Sequence, residues 1–181
     1  MKSYKITIEG EQFKKSYLIY VIKIHNEKHG SFFYIGQTGD RNYLTARPPF
    51  RRLAGHLEDR KKSTQNQLYK GIVEQILKIE SDGKDNYTDI TKNTVSKFLE
   101  NSTIEMLVFS VIDFNELIEK NEHKENVRYV ENVEKHLIQK LLKAKGSKNV
   151  LNKKILNPSD DEKANVVASE IFSEVLEKLK V

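Results

Sequence analysis

The chain predicts an α/β fold: a small, central, mostly antiparallel β-sheet flanked by helices, with inserted helices and a C-terminal helix. Three observations predict it. Two apolar runs rich in β-branched and aromatic residues, Tyr17–Ile24 and Phe32–Gln37, stand on either side of a polar stretch, His25–Gly30. That is the pattern of a β-hairpin. A third run, Ile104–Ile112, is strongly apolar and reads as a central buried strand. Apolar residues elsewhere recur at helical spacing: Val127, Val130, Leu137, Ile138 and Leu141 make one stripe, and Ala164, Ala168, Ile171, Val175 and Leu179 another.

In chain order, Lys5–Ile8 adds a short edge strand before the hairpin. Gly39–Pro49 is a long loop closed by Pro48-Pro49, after which a helix runs from about Phe50 to about Lys62. Ser63 or Thr64 caps a second helix through Leu68, Ile72, Ile76 and Leu77, stopped near Gly83. Asp82–Thr94 is a surface loop, and Val95–Leu99 a short helix before the third strand. Asn115 then caps a long helical region reaching about Ala144, with a break near His123 and Gly146 as its stop. Ser159-Asp160 opens the last helix, whose stripe covers the domain's own sheet, the alternative being a contact in a larger assembly. The 181 residues form one domain, with a core over about 17–152 and the C-terminal helix over about 159–180.

Composition narrows the chemistry. The chain is 38% hydrophobic and 31% charged, enough for a core beneath a very polar surface. It has no cysteine, which excludes disulfides, zinc–thiolate sites and cysteine nucleophiles. No apolar run approaches the ~20 residues of a membrane span, and the N-terminus lacks the apolar core of a signal peptide. An intracellular, cytoplasmic protein is the expectation. The net charge of +5 favours a polyanionic partner.

The residues that carry chemistry cluster in the hairpin and the helix after it. Leu18-Ile19-Tyr20 and Tyr34-Ile35-Gly36 place a tyrosine in each strand. Gly36 removes a side chain where backbone or phosphate must approach closely. Arg52 and His56, four apart, share a helix face, and Arg grips a phosphate by parallel N–H bonds without losing its charge. Around them Arg41, Arg47, Arg51, Arg60, Lys61 and Lys62 outnumber Asp40, Glu58 and Asp59, as a phosphate-contact surface requires. Glu134 interrupts the apolar stripe of the long helix, four after Val130 and three before Leu137. A carboxylate so placed is costly unless it is paired or metal-bound.

In chain order these residues resemble the GIY-YIG nucleases, which hydrolyse nucleic-acid phosphodiester bonds. "YIG" stands intact as Tyr34-Ile35-Gly36, while "GIY" is reduced to Leu18-Ile19-Tyr20. The resemblance spans roughly Tyr17 to Asn152. It implies that Tyr20 and Tyr34 lie near the scissile phosphate, one as general base, with Tyr20 favoured. It implies that Arg52-Leu53-Ala54-Gly55-His56 is the family's Arg-x-x-x-His pair, Arg51 being the competing assignment. Glu134 becomes the metal ligand for Mg²⁺ or Mn²⁺, with Glu131 the fallback. Asn149 comes near the site, with Asn152 the alternative. Gln37 stands where some members carry a lysine. Gly36, Arg41, Arg47, Arg51, Arg60, Lys61 and Asn149 are the expected nucleic-acid contacts. The function so implied is a metal-dependent endonuclease, most simply on double-stranded DNA, of a compact restriction-type or mobile-element layout. The inserted loops and helices then supply recognition. The alternative is a binding module of the same fold that has lost turnover.

Overall fold

The computed structural model describes residues 3, 5–63, 65–80, 86–153 and 156–181. Its frame is an antiparallel three-stranded sheet, β1 (Ser16–Asn26), β2 (Gly30–Gln37) and β3 (Ser102–Asp113), in the order β2-β1-β3. α1 (Pro49–His56), α2 (Gln67–Gly71) and α3 (Asp89–Glu100) lie between β2 and β3 in the chain. α4 (Lys120–Lys145) and α5 (Glu162–Lys178) follow β3.

Strand alternation builds two cores. Tyr17, Ile19 and Val21 of β1, with Phe33 and Ile35 of β2, pack with Val130, Val133, Leu137 and Leu141 of α4 and with the α5 stripe. Tyr20, Ile22 and Ile24, with Tyr34, pack on the opposite face with Leu68, Ile72, Val95, Phe98 and Leu151. β1 is therefore covered on both faces and paired on both edges. β3, expected at the centre, is an edge strand, none of whose residues is fully buried. Its run of apolar residues reflects packing by both faces at once, which a sequence pattern cannot separate from central placement.

Other boundaries also differ. Residues 5–9 form no strand. α1 stops at His56 rather than continuing to Lys62: the Leu57 N–H turns back to the Ala54 carbonyl, and Gly55 lies against the Gln65 side chain. α2 starts after Asn66, not Ser63, and passes into a π-helical turn, Ile72–Ile76, closed by a bond from Leu77 N–H to the Ile72 carbonyl. Lys78 then takes a positive φ of 52°. The expected cap Thr64 and stop Gly83 lie outside the described residues. α3 begins well before Val95, because the Thr88 hydroxyl caps it by accepting from Thr91 N–H. α4 runs unbroken through His123. Asn115 instead accepts from Leu117 N–H in the connection that precedes α4. Gly146 ends α4 at φ 78°, as a C-terminal glycine does. Asp161 caps α5 by accepting from Ala164 N–H.

Two polar devices hold the sheet to its surroundings. Residues 149–152 run along the free edge of β2. Leu151 N–H donates to the Phe33 carbonyl, and the Asn152 side chain bonds both the N–H and the carbonyl of Ile35 at 3.0 and 2.7 Å. An open edge is thereby closed by an amide that imitates a strand. At the far end, buried Asn26 donates to the Phe98 and Asn101 carbonyls and accepts from the N–H groups of Lys28 and His29. It fastens the hairpin turn to the α3–β3 corner.

Asn26→Ala should strand several buried partners at once and cost about 3 kcal/mol, against about 1 kcal/mol for Asn149→Ala, which loses one bond. Urea unfolding of the two variants measures the difference.

Candidate active site at the edge of β2

Register creates the first feature. Tyr20 pairs across the strands with Gly36, and Tyr34 with Ile22, so both phenols emerge on the same face. A Cβ added to Gly36 would stand 2.2 Å from the Tyr20 hydroxyl oxygen. The glycine of Tyr34-Ile35-Gly36 thus exists to let the Tyr20 ring lie across β2. The sequence suggested room for backbone or phosphate; the occupant is a phenol. Tyr20 is fully buried, while Tyr34 keeps 8% of its surface.

α1 delivers the partners. Pro49 opens it at a position where a missing N–H costs nothing, and one helical turn carries Arg52 and His56 onto the Tyr20 hydroxyl. Arg52 Nη2 and Nε donate to that oxygen at 2.9 and 3.2 Å, and His56 Nε2 lies 2.7 Å from it. An oxygen that accepts twice from a guanidinium has its proton left to give, so Tyr20 O–H donates to a neutral His56 Nε2. Burial first, and the Arg52 charge second, push His56 down to about 3, which fixes the neutral form. His56 Nδ1 has no hydrogen-bond partner; the Gln65 backbone is close enough to favour a proton there without forming a well-directed bond. Burial pushes Tyr20 up to about 12 although Arg52 opposes it. Tyr34 lies edge-on to His56, their ring centroids 4.7 Å apart, and burial raises its hydroxyl well above the usual value.

A cleft of about 390 Å³ opens beside this group, where α4 meets the β2 edge; Tyr34, Arg41, Gln67, Glu131, Glu134 and Asn152 are among the residues that line it. Glu134 is partly covered from solvent yet densely surrounded by protein. That burial, with the neighbouring Glu131, pushes its carboxyl up to about 8 against the pull of Arg52, Arg41 and Lys135. Its charge is felt in turn at Tyr20, Tyr34 and Arg52. The five expected catalytic residues therefore share one electrostatic neighbourhood. Tyr34 and Glu134 face the cleft, whereas Tyr20 and His56 stand behind it, sealed.

Among the described residues, no group of three His, Asp or Glu side chains gathers as a ready metal cage. The donor set is instead one strained carboxylate, a second in Glu131, and the Asn152 amide at the wall. It suits a hard divalent cation that keeps most of its waters and takes further oxygens from a phosphate. A carboxylate that burial and the neighbouring Glu131 hold near 8 fits such a group.

The remaining expectations divide. Arg41 lines the cleft, ion-paired with Glu131. Arg47 is bound to Asp40 at 2.6 Å, and Arg60 is paired with Glu58. Arg51 is exposed on α1 and lines a different groove. Lys61 lies over the Tyr87 ring, 5.7 Å from its centroid, in a separate cleft beside Glu74 and Glu80. Asn149 donates to the Ser31 carbonyl at 2.8 Å and serves the sheet edge, whereas its alternative, Asn152, reaches the cleft. Gln37 folds back on Gly39. Sequence reasoning missed Lys135, Gln67 and Lys153 at the cleft. Lys135 had a signal, its place next to Glu134; the other two had none. No family model, no curated protein and no solved structure matches the chain.

His56 makes the fold sensitive to acid. Its folded pKa of about 3 lies below the ordinary 6.5, so the stability tied to its neutral form is complete above 6.5 and is lost as pH falls toward 3. Between pH 7 and pH 4.5 the wild type should lose about 2 kcal/mol more than His56→Gln does. Urea unfolding at the two pH values checks this, and equal losses would show that His56 is not held neutral.

Proposed function

We propose that the protein is a metal-dependent endonuclease that hydrolyses phosphodiester bonds, with DNA as its substrate, and that its site is built on the GIY-YIG plan. The observation that carries this reading is the convergence of Arg52, Tyr20 and His56 on one buried oxygen beside the Glu134 cleft. A structural core gains nothing from burying an arginine on a tyrosine next to a carboxylate held near 8.

In this reading Glu134 holds Mg²⁺ or Mn²⁺, helped by Glu131 or Asn152. The cation when bound supplies positive charge to the phosphoryl oxygens and the leaving oxygen. The chain's own residues do the rest. The Tyr20 hydroxyl, itself held by His56, takes up two of the guanidinium donors, Nε and Nη2, and locks Arg52 in one orientation, which leaves Nη1 to a phosphate oxygen. Lys135 and Arg41 add positive charge at the cleft wall, in the part that a lysine at the place of Gln37 plays in some family members. Tyr34, the phenol with access to the cleft, orients the attacking water; the surrounding cations favour its phenolate, its own proton leaves to solvent through the open cleft, and the phenolate then takes the proton of the attacking water. Tyr20 is a positioning residue here, a reversal of the preference drawn from sequence.

The test is cleavage of supercoiled plasmid with Mg²⁺ or with EDTA. Cleavage should need the metal and should fall at least a hundredfold in Glu134→Gln, with folding intact. Arg52→Ala should lose two to three decades of single-turnover rate, roughly 3–4 kcal/mol, and Arg51→Ala far less. Tyr34→Phe should cost more turnover than Tyr20→Phe. Metal-independent binding without cleavage, unchanged in all variants, would instead establish a binding module.

A further inference from the structure

A second feature, beside the cleft, is a loop that is braced hard yet presents apolar side chains to solvent. Residues 39–46 are closed by a Gly39–Ala46 bridge, by Asp40 N–H to the Thr45 carbonyl at 3.1 Å and by Arg47 N–H to the Thr38 carbonyl at 3.0 Å. The Asp40 carboxylate binds Arg47 and accepts from Asn42 N–H, and its carbonyl meets His123 Nε2 at 2.7 Å. His123 is itself buried and bonded to the Tyr17 hydroxyl. This much fastening holds up a tip, Tyr43-Leu44, that is 70% and 52% exposed. Rigid display of an aromatic and an aliphatic residue to water is unfavourable for the chain alone.

The flanks say what the tip meets. On one side Arg41 leads into the Glu134 cleft. On the other, Tyr43 shares a groove with Lys15, Arg47 and Arg51, where Asp40 is the acidic wall residue. Arg51 has no ion-pair partner among the described residues, and exposed Lys15 is paired with exposed Glu116 at 2.8 Å and lies over the Phe114 ring, a surface pair that a phosphate can displace. An apolar tip between cations, on a loop whose Arg41 lines the Glu134 cleft, fits a nucleic-acid duplex: phosphates in the basic groove, the tip against a base step. We infer that the 39–46 loop is a wedge, whose Tyr43 and Leu44 insert at a base step of duplex DNA while Arg51 and Lys15 hold the adjoining phosphates. The inference rests on the nuclease reading and deepens it. It makes deformability at one step, rather than base-edge hydrogen bonding, the source of substrate preference.

The chain contains no tryptophan, so Tyr43→Trp places a single reporter at the tip. In Glu134→Gln protein without added metal, a fluorescein-labelled mixed-sequence duplex of 30 base pairs gives binding by anisotropy, and an unlabelled copy gives Trp emission. The wedge predicts binding with emission quenched at least twofold and shielded from iodide. Ile90→Trp, exposed on α3 away from the site, should stay unquenched. Tyr43→Ala with Leu44→Ala should weaken binding about tenfold, and Tyr43→Phe should restore it. Binding with Tyr43→Trp unquenched overturns the wedge and leaves the nuclease reading standing. No binding to the duplex overturns both. Quenching that follows protein concentration without DNA means that a second copy covers the tip, and also overturns the wedge.

Discussion

The Tyr20 hydroxyl is the point on which the site depends. It is sealed in the sheet, accepts two bonds from Arg52 and gives one to His56. Each neighbouring choice follows from it. Gly36 is required because nothing larger clears the phenol. α1 must end where His56 reaches the hydroxyl, so the chain turns sharply at Leu57. His56 must stay neutral to accept, and burial with the Arg52 charge ensures it. The result is an immobilised guanidinium. An arginine fixed before substrate arrives has no rotamer entropy left to lose at binding.

The second constraint is the solitary carboxylate. Glu134 stands among apolar residues of α4 that serve one core, yet it faces residues that belong to the other, because the cleft lies where the two meet at the β2 edge. Its ionisation works against the fold: a carboxyl raised to about 8 contributes stability below its ordinary pKa that is lost as pH rises through 8. A site that stores this cost is stabilised by whatever brings positive charge to it. Arg41 and Lys135 supply some, and Glu131 takes much of Arg41 for itself.

The sheet, its hairpin and both long helices were legible in the sequence because short β-branched and aromatic runs bounded by polar turns, and apolar residues at helical spacing, are strong signals. Glu134 was legible for the same reason, a carboxylate on an apolar helical stripe, whereas Arg52 and His56 were legible from their four-residue spacing on a basic helix. What was not legible depended on tertiary contact. The rank of the two phenols turns on which ring crosses Gly36, and nothing local encodes that. Asn152 against Asn149 turns on the register of residues 149–152 along β2, a parallel pairing set by where α4 ends. Much of the apparent basic stripe proved to be paired, Arg47 with Asp40 and Arg60 with Glu58, since alternating signs in a loop seek each other. β3 was misplaced because an apolar edge strand between two helical layers reads like a central one.

Carbon-13 NMR titration of the Glu134 carboxyl, assigned by its loss in Glu134→Gln, reaches the central claim most directly. The midpoint should lie near 8 in the free protein and fall when Mg²⁺ is added with a short phosphodiester oligonucleotide. A midpoint in the ordinary glutamate range of about 4.3, indifferent to Mg²⁺, would contradict the account.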